Sequence, residues 1–494
     1  MTPSPQRADA VRRSPHRGTR HRAANPNFDM PSTPTIHEPA RDTSIVERVE
    51  VVVAGGGPAG VAAALGAARA QRALGREPSV RLIECHGQLG GIWTTGLLSW
   101  VLDAGNKGGV MAEVFHRLDA LAGRKPPDGH ANSGVAYDPE RMKLVLERMC
   151  VEAGVSVRLH TTVVAAVREG TRIAALITES KSGREAFAAD VFIDATGDGD
   201  LSALAGCGFD FGRPADGPGS EGPDRAGETQ PMTLMMLVTG IDAHATAEFH
   251  ERKDRPWSAP KDALFAEFAR AGVTPSYGKP TIFVIAPDLY AWMINHEYGY
   301  DGRNAQHLTD ATLHARDELH RHVDALRALG GPWSNIRIVA TAAQIGVREG
   351  RRIRGRYTVT LDDMLEGRTH PDAVCRVTFG IDVHSTHKQR SGTAIESSPG
   401  KGKTRPYDVP YAALVAADVD NLLLAGRCIS GDFLAHSSYR VTGNSVAMGE
   451  AAGAAAALAA ARGVSPHTLD YAAEVRPLQR LPLPAPSPPG RGPG

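Results

Sequence analysis

The hydrophobic residues of the chain form runs of different character, and the first run predicts a buried strand. Residues 49–53 are dense in β-branched side chains, as is typical of a parallel strand buried on both faces. Three consecutive glycines at 55–57 end this run. The segment AGVAAALGAARA that follows has small side chains on every face, which predicts a closely packed helix. A second apolar run, SVRLIE, ends at Glu84. The order strand, turn, helix, strand predicts an α/β fold.

Later parts of the chain repeat both kinds of pattern. Residues 154–197 are typical of a meander of strands, with turn signals at REGTR and SKSGRE. Residues 305–329 carry apolar side chains at helical spacing, which predicts an amphipathic helix packed on the core. These side chains are Leu308, Ala311, Ala315, Leu319, Val323 and Leu326. Residues 422–424 predict another buried strand, and a small-residue helix follows from Gly443.

Both ends of the chain differ in composition from the rest. Residues 1–44 are rich in Pro, Arg, Ser and His without hydrophobic periodicity, and residues 476–494 are rich in Pro, so we expect a disordered leader and a disordered tail. No apolar segment follows the basic start, so a secretory signal is not expected, and either Met1 or Met30 fits as the first residue. No run approaches the ~20 apolar residues of a membrane span.

Charge and cysteine content exclude several classes of protein. The 494 residues contain 55 basic and 55 acidic side chains, so the chain lacks the positive excess that neutralises nucleic-acid phosphates. The five cysteines are far apart and include no CxxC pair, which argues against a disulfide framework, a zinc site and a disulfide-reductase mechanism. We therefore expect a protein of a reducing compartment, the cytoplasm, with no nucleic-acid partner.

The glycine turn predicts a dinucleotide site. Gly55, Gly57 and Gly60 fit the pattern G-x-G-x-x-G between a strand and a helix. The first glycine allows a tight turn, the second lets a pyrophosphate approach the backbone, and the third lets the helix lie close to the strand. Glu84 ends the second strand, where a carboxylate accepts hydrogen bonds from the adenosine ribose. An acidic residue at this place argues against a 2′-phosphate.

Five further motifs carry a family resemblance. They are LGG at 89–91, ATGDGD at 195–200, QPMTLM at 230–235, GVREGRR at 346–352 and NLLLAGRCIS at 421–430. In this order they resemble a family of FAD-dependent oxidoreductases within the glutathione-reductase-like, two-dinucleotide-binding flavoprotein superfamily. The resemblance implies an enzyme with FAD as its cofactor.

The same resemblance implies the fold and its division. It implies a Rossmann-like FAD-binding domain with a parallel sheet and a β-meander, interrupted by a mixed α+β substrate or cap domain. The FAD-binding domain then covers residues 45–207 and returns within 341–475, which also holds the end of the substrate domain. Residues 208–340 form the substrate or cap region.

The predicted cofactor contacts follow from the turn and from the resemblance. Val164 is expected near the adenine, and Arg427 stands where many relatives have an aspartate for the ribityl chain, a role for which Asp432 is the alternative. Thr94, Thr95 and Trp100 are further candidates for the flavin pocket. The predicted cofactor-binding residues are Gly55, Gly57, Pro58, Ala59, Gly60, Glu84, Gly90, Gly91, Val164, Ala195, Thr196, Gly197, Gly426, Arg427, Asp432, Gly443 and Asn444.

The catalytic candidates lie in one segment, CISGDFLAHSSYRVTGN, which the resemblance places beside the flavin ring. His436 is a candidate acid or base, Tyr439 a proton shuttle or substrate-orienting group, and Arg440 a partner for a substrate carboxylate or a reduced flavin. The alternative for His436 and Arg440 is a structural role in a loop. Five arginines between 348 and 356 either attract an anion or form a solvated surface.

Three functions remain open from the sequence. The first is hydride transfer between a small organic substrate and non-covalently bound FAD. The second is an NAD(P)H-dependent flavin monooxygenase, although no second strand–GxGxxG–helix unit for NAD(P)H is evident. The third is an electron-transfer flavoprotein subunit with a protein partner. No metal-binding signature such as HExxH is present, and whether the chain forms a homo-oligomer stays open.

Overall fold

The computed structural model describes residues 35–124, 134–242, 244–251, 255–386 and 404–479. The chain divides into two units, residues 1–42 and 43–494. The described part of the first unit, residues 35–42, has no regular secondary structure and contains an ion pair between Arg41 and Glu38 (2.6 Å). Residues 1–34 of the predicted leader and residues 480–494 of the predicted tail lie outside the described residues, whereas residues 476–479, predicted as the start of the disordered tail, form a short helix. Within the described part, no helix has the length and apolarity to cross a membrane.

The second unit alternates strands and helices. The strands are β1 (Ile45–Ala54), β2 (Val80–Ile83), β3 (Trp100–Val101), β4 (Val135–Ala136), β5 (Ser156–Arg158), β6 (Thr162–Glu169), β7 (Arg172–Ser180), β8 (Gly183–Asp194), β9 (Phe209–Asp210), β10 (Met236–Thr239), β11 (Thr281–Ala286), β12 (Leu289–Met293), β13 (Arg337–Thr341), β14 (Arg352–Ile353), β15 (Ala373–Val377), β16 (Tyr407–Pro410) and β17 (Leu422–Leu424). The helices are α1 (Pro58–Ala73), α2 (Gly109–Ala120), α3 (Pro139–Glu152), α4 (Asp200–Leu204), α5 (Ala259–Arg270), α6 (Ala305–Leu329), α7 (Leu361–Glu366), α8 (Phe433–Tyr439), α9 (Thr442–Arg462) and α10 (Arg476–Gln479).

A seven-stranded sheet forms the centre of the larger core. Strands β5, β2, β1 and β8 are parallel neighbours in that order. Strand β8 continues into the antiparallel strands β7 and β6, which is the predicted meander, while β17 pairs in parallel with the last residues of β8. Residues 51–54 of β1 are fully buried, as expected of a parallel strand covered on both faces. The fold is thus mixed α/β with a parallel-containing sheet, consistent with a Rossmann-like fold.

Small residues allow α1 and α9 to pack very closely. A Cβ at Gly449 or Gly453 of α9 would lie 2.0 Å from a backbone oxygen of α1, that of Ala59 or of Ala63. In the other direction, a Cβ at Gly66 of α1 would lie 2.5 Å from the Glu450 oxygen. The two helix backbones therefore touch, which explains why both predicted helices are rich in Ala and Gly.

A four-stranded antiparallel sheet supports a second core. Its strand order is β11, β12, β10, β13. Helix α6 covers residues 305–329 as predicted, and its apolar stripe is buried in this core together with Trp292 and Trp333. Asn304 is the N-cap of helix α6, and its side chain accepts hydrogen bonds from the backbone N–H groups of Gln306 and His307 (2.9 and 3.1 Å).

Candidate functional site

The candidate site is a cleft with a cavity volume of about 320 Å³ at the carboxyl ends of the parallel strands. The loops after β1, β2, β8 and β17 all reach this edge of the sheet, because the four strands run in the same direction. Twelve of the sequence-predicted residues line it: Gly55, Gly57, Pro58, Ala59, Glu84, Gly91, Ala195, Thr196, Gly197, Gly426, Arg427 and Arg440. Residues predicted from separate local motifs, far apart in the chain, thus line the same cleft.

The glycine turn has the geometry that the motif requires. Gly55 has a φ of +97°, in the left-handed region, and a Cβ there would lie 2.5 Å from the oxygen of Ala195. A Cβ at Gly60 would lie 1.7 Å from the Gly55 oxygen, so the start of α1 rests directly on the turn. A Cβ at Gly57, by contrast, would meet no protein atom within 4 Å. The space over Gly57 at the start of α1 is therefore open to a ligand.

Glu84 is held in place at the end of β2. Its Oε2 accepts a hydrogen bond from the backbone N–H of Gly56 (2.6 Å), and its Oε1 accepts one from the backbone N–H of His86 (2.8 Å). Burial acts to raise the pKa of the Glu84 carboxyl, but these hydrogen bonds and that of the His86 side chain outweigh it and lower the pKa. The group therefore faces the cleft as a carboxylate, a pure hydrogen-bond acceptor.

A buried carboxylate shapes the turn after β8. Asp194 is fully buried, and it accepts hydrogen bonds from the N–H and hydroxyl of Thr196 (3.1 and 2.7 Å) and from those of Ser202 (2.8 and 2.6 Å). Burial nevertheless raises the pKa of Asp194. These bonds tie β8 to α4, and they hold residues 195–197 against the glycine turn.

Arg427 ties three segments together at the floor of the cleft. Its guanidinium donates to the carbonyl of Gly197 (3.1 Å), to Asp198 Oδ1 (2.6 Å) and to the carbonyl of Val347. Burial raises the pKa of Asp198 to about 6, against the opposing effect of Arg427. Arg427 lines the cleft, but its hydrogen-bonding capacity is used largely within the protein.

The start of α9 contributes to the cleft one position away from where it was predicted. Val441, Thr442 and Ser445 line the cleft, whereas the predicted Gly443 and Asn444 do not. A Cβ at Gly443 would lie 2.5 Å from the backbone oxygens of the loop at 102–103, so this residue faces the protein. The Thr442 hydroxyl is buried and has no hydrogen-bond partner within the described structure.

The open space at Gly57, the Glu84 carboxylate and the unpartnered Thr442 hydroxyl fit FAD. A dinucleotide phosphate placed over Gly57 would face the N-terminus of α1, where helix N–H groups and the helix dipole favour negative charge. The ribose would face Glu84. These residues of the cleft satisfy the chemistry of the cofactor at both of its polar parts.

The other half of the cleft is lined by the antiparallel sheet and is mostly apolar. Its wall includes Trp100, Met235, Phe283 and Met293. Met293 pairs with Thr281 across β12 and β11, so its side chain shares a sheet face with Phe283 two residues further along. The Trp100 and Phe283 rings are in contact, with centroids 5.0 Å apart.

A polar cluster closes this apolar half. Arg348 donates to the carbonyl of Pro231 (2.6 Å) and to the hydroxyl of Thr233 (2.9 Å), and its other nitrogen lies 3.3 Å from His296 Nε2. Burial, as the largest cause, and the charge of Arg348 lower the pKa of His296 well below its usual range. The ring is therefore neutral, and its Nε2 accepts a hydrogen bond from this arginine. Burial and the neighbouring Arg440 lower the pKa of Arg348 to about 10, which leaves it charged at neutral pH.

His384 and Asp382 form an imidazole–carboxylate pair in the cleft. His384 Nε2 lies 3.4 Å from Asp382 Oδ2, and the guanidinium of Arg440 lies 3.9 Å from the same oxygen. Burial and Arg348 lower the pKa of His384 to about 4, so the ring is neutral at neutral pH. Burial acts to raise the pKa of Asp382, but His384, Arg440 and Arg348 outweigh it and hold that pKa well below its usual range.

The structure does not bring two of the predicted catalytic residues to the cleft. His436 and Tyr439 lie on α8, whose seven residues are all buried, and the Tyr439 hydroxyl donates to the carbonyl of Ile429 (3.0 Å). Burial lowers the pKa of His436 well below its usual range. Asp432 is the N-cap of the same helix and accepts from the backbone N–H groups of Leu361 and Ala435, so its carboxylate serves the fold.

Three other predicted cofactor residues also lie outside the cleft lining. Gly60 and Gly90 support the glycine turn from behind, and the Gly90 N–H donates to the carbonyl of Gly56 (2.8 Å). Val164 sits at the register shift between β6 and β7, in a small cluster on the meander.

Sequence reasoning missed part of the polar cluster, although Arg440 was among the predicted site residues. Asp382, His384 and Met293 come from segments that showed no motif, and Arg348 and Arg440 reach their partners in the cluster over more than 50 positions of the chain, as between Arg348 and Pro231. Of the five arginines between 348 and 356, which were proposed to attract an anion or to form a solvated surface, Arg348 lines the cleft. Arg351 and Arg354, by contrast, pair with Asp200 and Asp210.

Comparison with known proteins gives a family and several structural likenesses. The family described as FAD dependent oxidoreductase matches residues 50–480. A p-nitrophenol 4-monooxygenase from Pseudomonas putida DLL-E4 is 12% identical over 88% of each chain, with a TM-score of 0.44. A geranylgeranyl bacteriochlorophyll reductase-like protein from Thermoplasma acidophilum is 13% identical over 88% of this chain and 82% of the other, with a TM-score of 0.41. The flavin-dependent brominase Bmp2 is 14% identical over 87% and 83%, with a TM-score of 0.44. No curated protein sequence matches the chain.

Proposed function

The chain belongs to the FAD-dependent oxidoreductase family, and from that premise we propose that it transfers a hydride between a small organic substrate and non-covalently bound FAD. The observation that carries the proposal is one continuous cleft. It runs from the dinucleotide turn at Gly55 and Gly57 to an apolar pocket closed by the His384–Asp382 pair. A substrate in that pocket would share its cavity with the redox end of the cofactor.

The residues that would hold the cofactor are those of the loops after the parallel strands. The start of α1 would bind the pyrophosphate and Glu84 the ribose, and the start of α9 at Thr442 would bind a polar part of the flavin. When bound, FAD supplies a two-electron acceptor or donor. Arg427 would position the loops at 197–198 and 347 around it.

We assign the acid–base role to His384. Its Nε2 faces Asp382, so Nδ1 is the nitrogen available to a substrate, and the lowered pKa keeps the ring neutral, with an unprotonated Nδ1, at neutral pH. The Asp382 carboxylate would stabilise the imidazolium that forms. A substrate C–H that leaves as hydride and an O–H or N–H proton that passes to His384 together balance a two-electron oxidation.

The antiparallel half is proposed as the substrate region. In this interpretation, residues 208–340 contribute the wall with Met235, Phe283 and Met293, and residues 45–207 and 341–475 contribute the FAD-binding fold of the two-dinucleotide-binding superfamily. The four-stranded sheet is antiparallel and so contains no βαβ unit for a second dinucleotide, which supports an organic electron donor over NAD(P)H. We propose a cytoplasmic location.

The test is an absorption spectrum of the purified protein, followed by anaerobic addition of NADH, NADPH and a panel of small organic donors. We expect an oxidised flavin spectrum that the nicotinamides leave unchanged and that an organic donor bleaches. Rapid bleaching by NADH or NADPH would instead support a monooxygenase. Bleaching by a reduced protein partner alone would support an electron-transfer subunit.

A variant at His384 tests the assigned role. His384→Gln keeps a side chain that can hydrogen-bond but has no group that accepts a proton near neutral pH, so we expect donor-driven flavin reduction to slow by roughly 10²- to 10⁴-fold. The flavin content should not change. An unchanged rate would remove His384 from the mechanism.

A further inference from the structure

The polar cluster at the closed end of the cleft has an excess of positive charge. Arg348 and Arg440 both line the cleft, and Arg440 donates to the backbone carbonyl of Arg348 (3.4 Å). Asp382 is the carboxylate that faces both guanidinium groups. His384 and His296, the two imidazoles of the cluster, are held neutral by burial and by Arg348.

The other charges nearby do not neutralise this excess. Glu349 accepts from the backbone N–H of Gln230 (2.6 Å), and its charge acts on both Arg352 (3.6 Å) and Arg440. Arg427 is paired with Asp198 (2.6 Å). Tyr277 and Tyr298 adjoin His296, and burial keeps the Tyr277 hydroxyl protonated by raising its pKa. Three buried guanidinium groups, those of Arg348, Arg352 and Arg440, therefore share two carboxylates, those of Asp382 and Glu349, an arrangement that a bound anion would stabilise.

Arg440 is poised for such an anion. Its side chain is nine-tenths buried, and its Nη2 donates to Gln230 Oε1 (3.2 Å) and to the carbonyl of Asp382 (2.9 Å). Its Nε has no hydrogen-bond partner within the described structure. A buried guanidinium donor without a partner is costly, and an acceptor brought by a ligand would remove that cost.

The apolar wall of the cleft begins beside Arg348. The Met293 sulfur lies 3.9 Å from a guanidinium nitrogen of Arg348. Met293 shares a sheet face with Phe283, and the Phe283 ring contacts Trp100. A row of three apolar side chains thus leads away from the two arginines, inside the same cavity.

We propose that the substrate is a carboxylic acid with an aromatic or bulky apolar body. Arg348 and Arg440 would bind its carboxylate, and the row of Met293, Phe283 and Trp100 would contact its body. This inference rests on the proposed function, since it names the substrate class of the same site. It also sets the position of the oxidised carbon. Because Arg440 and His384 lie within 4 Å of the same Asp382 oxygen, the carbon that carries the O–H or N–H group lies close to the carboxylate.

The test compares binding of matched acids and amides to the FAD-loaded protein. The probes are 3-phenylpropanoate and 3-phenylpropanamide, which share their carbon skeleton and differ in charge. Calorimetry and perturbation of the flavin absorbance give the dissociation constants without any turnover. We expect the acid to bind roughly 10- to 100-fold more tightly than the amide, as one or two charge-assisted hydrogen bonds would give.

Variants separate the charge from the apolar wall. Arg348→Gln and Arg440→Gln should each bring the acid-to-amide ratio close to one. Phe283→Ala should weaken both probes equally, and Arg321→Gln, an exposed arginine of α6 paired with Asp317, should change nothing. If a buried arginine variant fails to fold, the ratio of acid to amide affinity in the wild-type protein still tests the proposal.

The possible outcomes divide cleanly. An amide that binds wild-type protein as tightly as the acid overturns the proposal, and so does a preference for the acid that survives both arginine variants. If the arginine variants shift the flavin reduction potential and leave the acid-to-amide ratio unchanged, the pair serves the reduced cofactor instead of a substrate, which also overturns it. Failure of the proposed function is separate, because it would appear as bleaching by NAD(P)H whatever the ratio is.

Discussion

Substitution of Gly57 by valine isolates the contribution of the glycine turn to cofactor binding. A Cβ at Gly57 would meet no protein atom within 4 Å, and the backbone there is extended, with φ −71° and ψ −174°, which any residue adopts. The protein should therefore fold. The added side chain fills the space over the start of α1, where the pyrophosphate would approach the backbone.

The expected loss can be worked from this geometry. Two N–H groups of the helix start that can no longer reach a phosphate remove about 3–6 kcal/mol of binding free energy, at about 1.5–3 kcal/mol for each charge-assisted bond. The dissociation constant for FAD should rise by roughly 10²- to 10⁴-fold. The measurement is the ratio of FAD to protein after purification, followed by titration of the stripped protein with FAD.

Gly108 offers a matched control. It is the N-cap of α2, as Gly57 is of α1, its backbone is extended with φ −89° and ψ −150°, and a Cβ there also meets nothing within 4 Å. Gly108→Val therefore has the same helix-capping cost but lies outside the cleft. Stoichiometric FAD with an unchanged dissociation constant in Gly57→Val would refute the reasoning. Loss of FAD from both variants would show that the effect is on folding.

Three further predictions concern the packing and the buried groups. Gly453→Ala should lower the melting temperature, although alanine favours a helix by about 1 kcal/mol over glycine, because its Cβ would lie 2.0 Å from the Ala63 oxygen; a rise in melting temperature would contradict the close contact of α1 and α9. Tyr439→Phe should lower the free energy of unfolding by about 1–2 kcal/mol through the lost hydrogen bond to Ile429, with an unchanged rate of donor-driven flavin reduction in stopped flow; a slower rate would return Tyr439 to the mechanism. Burial raises the pKa of Glu450 to about 7, so the folded state binds its proton more tightly than the unfolded chain does, and the stability from this group is present at low pH and lost as the pH rises towards 7. Glu450→Gln should therefore raise the melting temperature relative to the wild type at pH 8 and not at pH 4, and equal melting temperatures at pH 8 would refute this.

Local patterns were sufficient to predict the elements around the glycine turn. In the unit formed by β1, α1 and β2, the turn glycines follow directly after β1 and Glu84 follows directly after β2. The hydrophobic runs of the sequence already indicate where both strands end. The parallel direction of the strands then brings their loops to one edge of the sheet without any further information. Helix α6 was predictable for a similar reason, since one buried face sets its period of apolar residues.

The pocket side could not be predicted because its residues are brought together by long-range contacts. Helix α8 shows the difficulty most clearly. All seven of its residues are buried, so it has no solvent-exposed face, and helical periodicity does not indicate which side of it meets the cleft. His436 was therefore predicted from its residue type and from the family resemblance, with no support from the helical pattern. The histidine that does line the cleft, His384, lies in a segment with no regular secondary structure and is positioned by the backbone N–H bond to Gln230 (2.8 Å).

The motifs that carry the family resemblance are explained more by the framework than by direct contact with a ligand. The turn ATGDGD after β8 is held by a hydrogen bond from Thr196 to Asp194, the residue before the motif. Asp198 of this turn pairs with Arg427 of NLLLAGRCIS, 229 positions away. Arg427 also binds the carbonyl of Val347, which belongs to GVREGRR. Three separate motifs thus meet at one guanidinium. An arginine suits this place because its fork of donors joins three backbone segments at once, which an acceptor-only carboxylate at the same position does not do.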